Sequence, residues 1–177
     1  MNKTRIHIDF ETFSSVSLKD CGVYKYTSSP DFEILLCSYL IAGEMFEPDV
    51  LDVHGASLPD DLVDLLLDEN TTIHAHNAMF ERLCLRACGI DIPASRFRCS
   101  MAKSAYCGLP LGLGQVANVL QLEQEKDTTG ALLIKYFCTP CKPSKVNGGR
   151  TRNLPGHDPA KWERFKEYCK QDTAVEY

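Results

Sequence analysis

Four carboxylates in three separated segments of the sequence have the residue types needed for metal chemistry. They are Asp9 and Glu11 in IHIDFET, Glu81 in HNAMFER and Asp172 in YCKQD. A fold that gathers them places several negative charges close together, which is unfavourable unless the carboxylates are protonated or bind cations. Mg²⁺ and Mn²⁺ prefer oxygen ligands, and two such ions about 4 Å apart are the usual apparatus for in-line phosphodiester cleavage. These residues predict a metal-dependent nuclease.

The spacing of these residues within each segment favours a shared site. The first segment alternates with period two, as a strand does, so Asp9 and Glu11 project from the same face. Tyr168 and Asp172 are four residues apart on a predicted helix and share a face. Asn77 and Glu81 have the same spacing, on a helix that we expect to begin at about Asn77. A phenol beside the nucleophilic water can orient that water by hydrogen bonding without ionising.

Hydrophobic periodicity predicts the elements that position these residues. Strands are expected at residues 5–11, 33–41, 50–53, 71–75 and 97–99. Helices are expected at residues 58–68, 77–88, 101–106, 113–120 and 129–137, and from Pro159 onward. This order predicts one α/β domain spanning residues 1–177, with a mixed central β-sheet flanked by α-helices.

Composition limits the class of protein. The chain has 177 residues, of which 44% are hydrophobic and 24% charged, as in ordinary globular proteins. Its net charge of −5 argues against binding long duplex DNA by bulk electrostatics. Charges interrupt the N-terminus before a signal peptide could form, and the longest apolar run, residues 34–42, is about half a membrane span. We therefore expect a cytoplasmic protein that does not enter a membrane.

The nine cysteines favour reduced thiols over disulfides, because the number is odd and no secretion signal precedes them. Cys138 and Cys141 form one CxxC, but no second pair of ligands follows, so a zinc site is not favoured. His74 and His76 are expected to be structural, since two-metal phosphodiester sites favour oxygen donors. His157 is a weaker candidate for orienting water than the nearby phenol of the last helix.

The three segments also resemble a known family. DFET, HNAMFER and YCKQD resemble the three exonuclease motifs of the DEDD superfamily of 3′–5′ exonucleases, in its tyrosine-containing Yx3D branch. The resemblance is greatest to the proofreading domain of phage-type family A DNA polymerases. The stretches CGVYKY, SPDFEILL and NGGRTRNLPGHDPAKWERFKEYC are similar to that group as well. The resemblance implies a ribonuclease H-like fold.

It also implies a role for each site residue. Asp9 would bridge two metal ions, and Glu11 would ligate the ion on the nucleophile side. Asp172 would complete the site of that ion, while Tyr168 would position the water. Glu81 stands where the family most often has Asp, so its extra methylene moves the carboxylate outward by about one bond length. This difference matters most if the carboxylate ligates an octahedral ion directly.

Further residues are candidates for binding the substrate. Asn77 and Phe80 match the family's Nx2(Y/F) positions, which shape the site near the terminal nucleotide. Phe13 and Met79 are candidates for stacking on terminal bases. A glycine-rich basic loop precedes the last helix and is either a flap that contacts phosphates or an ordinary solvated loop. Its candidate contacts are Lys145, Arg150 and Arg152.

The resemblance implies a specific activity and two alternatives. The expected activity is hydrolysis of single-stranded or frayed DNA 3′ ends to nucleoside 5′-monophosphates with two Mg²⁺ or Mn²⁺ ions. Its role would be proofreading during phage or prophage DNA replication, with a polymerase domain in the same or another chain. The alternatives are an exoribonuclease resembling ribonuclease D and a degenerate exonuclease domain that binds nucleic acid without cutting it.

Overall fold

The computed structural model describes residues 3–122 and 130–177. Its centre is a β-sheet with the strand order β3-β2-β1-β4-β5. β1 pairs antiparallel with β2 on one side and parallel with β4 on the other, so the sheet is mixed as predicted. The strands are β1 (Thr4–Phe13), β2 (Glu33–Ile41), β3 (Asp49–Asp52), β4 (Thr71–Ala75) and β5 (Phe97–Cys99).

Helices cover both faces of this sheet. Those within the described residues are α1 (Leu18–Thr27), α2 (Asp60–Leu67), α3 (Met79–Ala87), α4 (Ser100–Tyr106), α5 (Leu113–Leu120), α6 (Gly130–Phe137) and α7 (Pro159–Glu176). Two 3₁₀ turns, Ala94–Arg96 and Pro155–His157, join them. The helix predicted from Pro159 is confirmed, and the Asp158 side chain caps it by accepting a hydrogen bond from the Lys161 N–H at 3.1 Å.

The alternation of β1 separates an apolar face from a polar one. Ile6, Ile8 and Phe10 are buried in a core that they share with α2 and α3. The alternate residues His7, Asp9 and Glu11 lie on the opposite face, where α7 packs across β1 and β2. The functional side chains of β1 therefore lie between the sheet and the last helix.

A β-bulge marks the end of the polar face. The register between β1 and β2 shifts between Glu11 and Thr12, which leaves Leu35 as the extra residue of β2. Leu35 and Leu36 consequently both join the second core, together with Phe13 and the aromatic residues of α6 and α7. This core anchors α7 beneath the sheet, and the Trp162 Nε1–H adds a 2.7 Å hydrogen bond to Asp52 Oδ2 on β3.

The helices differ from the prediction in two places. The helix expected from residue 77 begins at Met79, because Asn77 has φ +69 and cannot belong to a right-handed helix. The helix α1 was not predicted at all. Thr129, the expected first residue of the helix at 129–137, lies outside the described residues. Within the described ranges no helix is long and apolar enough to cross a membrane.

Candidate active site

The polar face of β1 and one face of α7 carry matching rows of side chains. Four residues of an α-helix advance about 6 Å and two residues of a strand about 7 Å, so equivalent positions stay opposite each other. The row on the strand is Glu11, Asp9 and His7, and the row on the helix is Tyr168, Asp172 and Glu176. Each strand residue interacts with its helical counterpart in that order.

The two carboxylates of β1 are held at high pKa by this environment. The pKa of Asp9 is raised from 3.8 to about 7, mainly by burial and also by the charge of Asp172, while a thiol hydrogen bond from Cys169 opposes the rise. Burial also raises the pKa of Glu11, and the charges of Asp9 and Asp172 add to the effect. Asp9, Glu11 and Asp172 therefore lie close enough for the charge of one carboxylate to raise the pKa of another.

Glu81 on α3 is a further carboxylate beside Asp9. It lies in the first turn of α3 and is only 2% exposed, so it is no ordinary solvated helix residue. Burial raises its pKa, and the charge of Asp9 raises it further. Its Oε2 is buried and accepts no hydrogen bond from any described residue. A buried carboxylate oxygen with no donor is costly unless a cation or a proton occupies it.

Tyr168 contributes an un-ionised phenol. Burial raises its pKa, and the charges of Asp172 and Glu11 raise it further. A side-chain hydrogen bond with Asp172 also favours the protonated form. The hydroxyl is therefore a permanent hydrogen-bond donor and acceptor beside the carboxylates, as its predicted role requires.

The donor set fits divalent cations, although the side chains are not arranged as a finished metal site. Among residues 3–122 and 130–177, no group of three or more His, Cys, Asp or Glu side chains could hold a metal ion as it stands. Three carboxylates with raised pKa values, one of them with an orphaned oxygen, are nevertheless hard anionic donors that a cation would satisfy. Asp9, Glu11, Glu81 and Asp172 are the residues that could ligate it.

Two buried thiols contact these carboxylates and were not predicted as site residues. The Cys138 Sγ–H donates to Glu11 Oε2 at 3.6 Å, and the Cys169 Sγ–H donates to Asp9 Oδ2 at 3.8 Å. Cys169 directly follows the tyrosine of the third motif, which is a signal in the sequence. Cys138 carries no comparable signal, since 127 residues separate it from Glu11. All nine cysteines are free thiols.

A cleft of about 560 Å³ opens beside Glu11 and is large enough for a small ligand. Its wall includes the hydroxyl-rich turn after β1, the ring of Phe80 and residues from the end of α6. Tyr26 from α1 closes its floor with a 2.9 Å hydrogen bond between its hydroxyl and Thr12 Oγ1. The cleft thus places polar and aromatic groups directly next to the carboxylate cluster.

The second motif contributes the edge of this cleft. Phe80 lines this cleft. Met79 is 46% exposed and stays available for contact with a substrate. Asn77 lies in the turn before α3, where its carbonyl accepts the Phe80 N–H at 2.8 Å. Asn77 and Glu81 therefore do not share a helical face, contrary to the prediction.

The basic loop is placed differently from the prediction in part. The Arg152 guanidinium lies 3.9 Å from the centre of the Phe13 ring and is paired with Glu33. Phe13 is only 4% exposed, so this placement does not support base stacking by Phe13 or phosphate binding by Arg152. Arg150 is also engaged, donating to Asn153 Oδ1 at 2.8 Å, whereas Lys145 is exposed.

The histidines have structural partners, in keeping with their predicted role. His76 Nε2–H donates to the Leu111 carbonyl at 2.7 Å, and its Nδ1 lies 3.0 Å from Ser100 Oγ. His157 Nδ1 accepts the Leu154 N–H at 2.8 Å within its own turn. His7 pairs with Glu176 and lies against the ring of His74. Burial lowers the pKa of His74 to about 4.

Comparison with known proteins relates the chain to a polymerase. No protein-family model matches the sequence. The DNA polymerase of Bacillus phage SP02 is 44% identical over 173 residues, which is 97% of this chain. The match covers 26% of that polymerase, so the chain spans about a quarter of the length of this relative.

Solved structures with a similar fold include an exoribonuclease. Escherichia coli ribonuclease D, described as an exoribonuclease involved in structured RNA processing, matches 72% of this chain and 30% of its own, with a TM-score of 0.53 and 16% identity. NrnC of Brucella melitensis bound to pGG matches 70% of this chain and 56% of its own, with a TM-score of 0.50 and 18% identity. At such identities the likeness concerns the fold, and it confirms the predicted ribonuclease H-like class. The chain is thus related along nearly its whole length to part of a phage DNA polymerase, and it has the ribonuclease H-like fold that ribonuclease D also has.

Proposed function

We propose that the protein hydrolyses single-stranded or frayed DNA from its 3′ end, using two divalent cations, Mg²⁺ or Mn²⁺, and releasing nucleoside 5′-monophosphates. Its role would be proofreading beside a polymerase domain in the same or another chain. One observation carries the proposal. Asp9 is the common neighbour of Glu11, Glu81 and Asp172. The charge of Asp9 raises the pKa of Glu11 and of Glu81, and the charge of Asp172 raises the pKa of Asp9. A carboxylate in that position suits a ligand shared between two ions.

Each residue of the site would have a separate role in hydrolysis. Bound cations would lower the pKa of the attacking water and stabilise the leaving oxygen. Asp9 would be shared between the two ions, with Glu11 and Asp172 on one side and Glu81 on the other. Tyr168 would orient the water through its hydroxyl, because its phenol stays protonated. Phe80 and the cleft beside Glu11 would hold the terminal nucleotide.

Digestion of a 5′-labelled single-stranded DNA tests the proposal. In Mn²⁺ or Mg²⁺ the purified protein should shorten the strand stepwise from its 3′ end and release mononucleotides. Excess chelator should stop the reaction, and restored Mn²⁺ should revive it. A protein that leaves the strand intact in Mn²⁺ would contradict the proposed activity.

The fold of ribonuclease D supports a second candidate, an exoribonuclease. A parallel digestion of RNA of the same sequence separates the two candidates, since the expected result is faster degradation of DNA. A strong preference for RNA would replace the DNA assignment. Retention of single strands on a gel without any cleavage would instead identify a degenerate domain that only binds nucleic acid.

The cation requirement should depend on pH. Without a cation the pKa of Asp9 is about 7, so at pH 6 a proton occupies the carboxylate that the cation needs. The Mn²⁺ concentration for half-maximal activity should therefore fall as pH rises from 6 to 8. Titrations of Mn²⁺ at fixed DNA concentration measure it. A half-maximal concentration that does not change over this range would count against ligation by Asp9.

Replacing Tyr168 by Phe should slow hydrolysis by about 10- to 100-fold, which corresponds to about 1.4 to 2.7 kcal/mol of transition-state stabilisation. The ring and its packing remain, and only the hydroxyl that orients water is lost. The Mn²⁺ concentration for half-maximal activity should stay within about twofold of wild type. A variant with normal turnover would exclude this role for the phenol.

A further inference from the structure

The helix α6 carries none of the three motifs, yet its first residue touches one of them. Gly130 is buried against the ring of Tyr168. A Cβ atom at Gly130 would lie 2.1 Å from Tyr168 Cε2 and 2.7 Å from Cζ, whereas real Cβ contacts essentially never fall below 3.0 Å. Any larger residue at this position must therefore push the ring away.

The ring has little freedom to give way. Tyr168 is stacked with Phe165, with ring centres 6.5 Å apart and an interplanar angle of 7°. Phe165 is stacked in turn with Phe137, the last residue of α6, at 5.4 Å and 19°. Both ends of α6 thus constrain Tyr168, one by direct backbone contact and the other through the stack.

The residue after α6 contacts a second motif. Cys138 is held to the end of the helix by a 2.8 Å hydrogen bond from its N–H to the Ile134 carbonyl. Its thiol donates to Glu11 Oε2 at 3.6 Å, in a buried setting. Glu11 accepts this bond on the side that borders the cleft, whose wall includes Ile134 and Cys138.

We infer that α6 is a positioning element of the active site, in which Gly130 sets the place of the Tyr168 ring and Cys138 orients the Glu11 carboxylate. This inference rests on the proposed function for its kinetic consequences. Neither residue touches the reacting atoms, so each acts through a motif residue. The segment of α6 and Cys138, which lies between the second and third motifs, therefore positions two motif residues in addition to contributing to the hydrophobic core.

Gly130→Ala tests the first contact, with Gly156→Ala as the matched control, because a Cβ at Gly156 meets nothing within 4 Å. Gly130→Ala should lower kcat for DNA by about 10-fold or more with little change in KM, as loss of a water-orienting group does. Adding Gly130→Ala to Tyr168→Phe should cost less than about twofold, because the hydroxyl is already gone. Multiplying losses in the double variant, or normal kcat in Gly130→Ala, would overturn the inference.

A ¹⁹F NMR measurement, which does not depend on catalysis, separates the positioning role from the proposed function. In protein labelled with 3-fluorotyrosine, the ¹⁹F resonance that disappears in Tyr168→Phe is that of Tyr168. Gly130→Ala should shift this resonance, and Gly156→Ala should leave it in place. If wild type degrades no DNA but the shift occurs, the positioning role holds and the proposed function fails. An unshifted resonance contradicts the positioning role whatever the activity.

Substitutions of Cys138 provide a second test of the positioning role of α6, and this test remains decisive if Gly130→Ala does not fold. Cys138→Ser keeps a donor toward Glu11, whereas Cys138→Ala removes it. Mn²⁺ affinity measured by calorimetry should fall by about threefold or more in Cys138→Ala and stay closer to wild type in Cys138→Ser. Equal affinities in all three proteins would remove Cys138 from the inference.

Discussion

Asp9→Asn should abolish DNA hydrolysis, with a loss of at least about three orders of magnitude in kcat. Asn has the size of Asp but is neutral, so it cannot serve as the anionic ligand shared between two cations. Asp9 is the neighbour of the three other carboxylates, so no single one of them can replace it. Single-turnover digestion of labelled DNA in Mn²⁺ measures the loss. The exposed Asp91→Asn is the control and should cleave at the wild-type rate.

The same variant should be more stable than wild type when cations are chelated. The pKa of Asp9 is 3.8 ordinarily and about 7 in the folded protein. Between about pH 4 and pH 7 the folded state therefore holds a proton that the unfolded state releases, and stability falls as pH rises through this range. Above pH 7 wild type bears the full cost of the buried charge, whereas Asn bears none.

Thermal unfolding at pH 5 and pH 8 in chelator checks this expectation. Asp9→Asn should melt a few degrees above wild type at pH 8, and the difference should shrink at pH 5. Added Mn²⁺ should raise the melting temperature of wild type but not that of the variant, since binding to the folded state alone stabilises it. A variant that melts well below wild type at pH 8 would mean that the Asp9 carboxylate is satisfied by the protein itself.

Strands and motif order could be predicted from the sequence because they depend on local pattern. β2, β4 and β5 have the predicted bounds, and β2 in particular is a near-continuous apolar run typical of a buried strand. Strand alternation places Asp9 and Glu11 on one face of β1, helical spacing places Tyr168 and Asp172 on one face of α7, and the topology then brings β1 and α7 together. The local sequence pattern was therefore sufficient to predict the fold class and to identify the motif residues.

Elements governed by unusual backbone conformation could not be predicted in this way. Gly22 interrupts α1 with φ +73, so the helix lacks an unbroken periodic stripe. Asn77 takes φ +69 at the start of a segment whose side-chain pattern predicts a helix. In both cases the local pattern is overruled by a left-handed residue, and only the tertiary structure reveals it.

Contacts between distant residues account for the rest of the site. Nothing in the sequence links Cys138 to Glu11 or Gly130 to Tyr168, because these pairs meet only after the sheet and α7 have formed. Likewise the position of the Arg152 guanidinium over the Phe13 ring depends on the loop folding back onto β2, where Glu33 pairs with the guanidinium. Residue type alone made both of them attractive candidates for binding DNA.

The sequence and the structure lead to different expectations for Glu81. The sequence makes it an exception, since the family most often has Asp there. The structure makes it a buried carboxylate beside Asp9 with an oxygen that no described group satisfies. Glu81→Gln should therefore lower kcat by about 100-fold or more, equivalent to at least about 2.7 kcal/mol, because the amide removes an anionic ligand without changing size.

Glu81→Asp separates charge from length. It keeps the negative charge but retracts the carboxylate by about one bond, so it should retain more activity than Glu81→Gln if charge dominates. The exposed Glu167→Gln is the matched control and should behave as wild type. Without cations Glu81→Gln should not be less stable than wild type, because the neutral amide escapes repulsion from Asp9. Cleavage at the wild-type rate by Glu81→Gln would mean that Glu81 does not ligate the second cation and that its buried oxygen carries a proton instead.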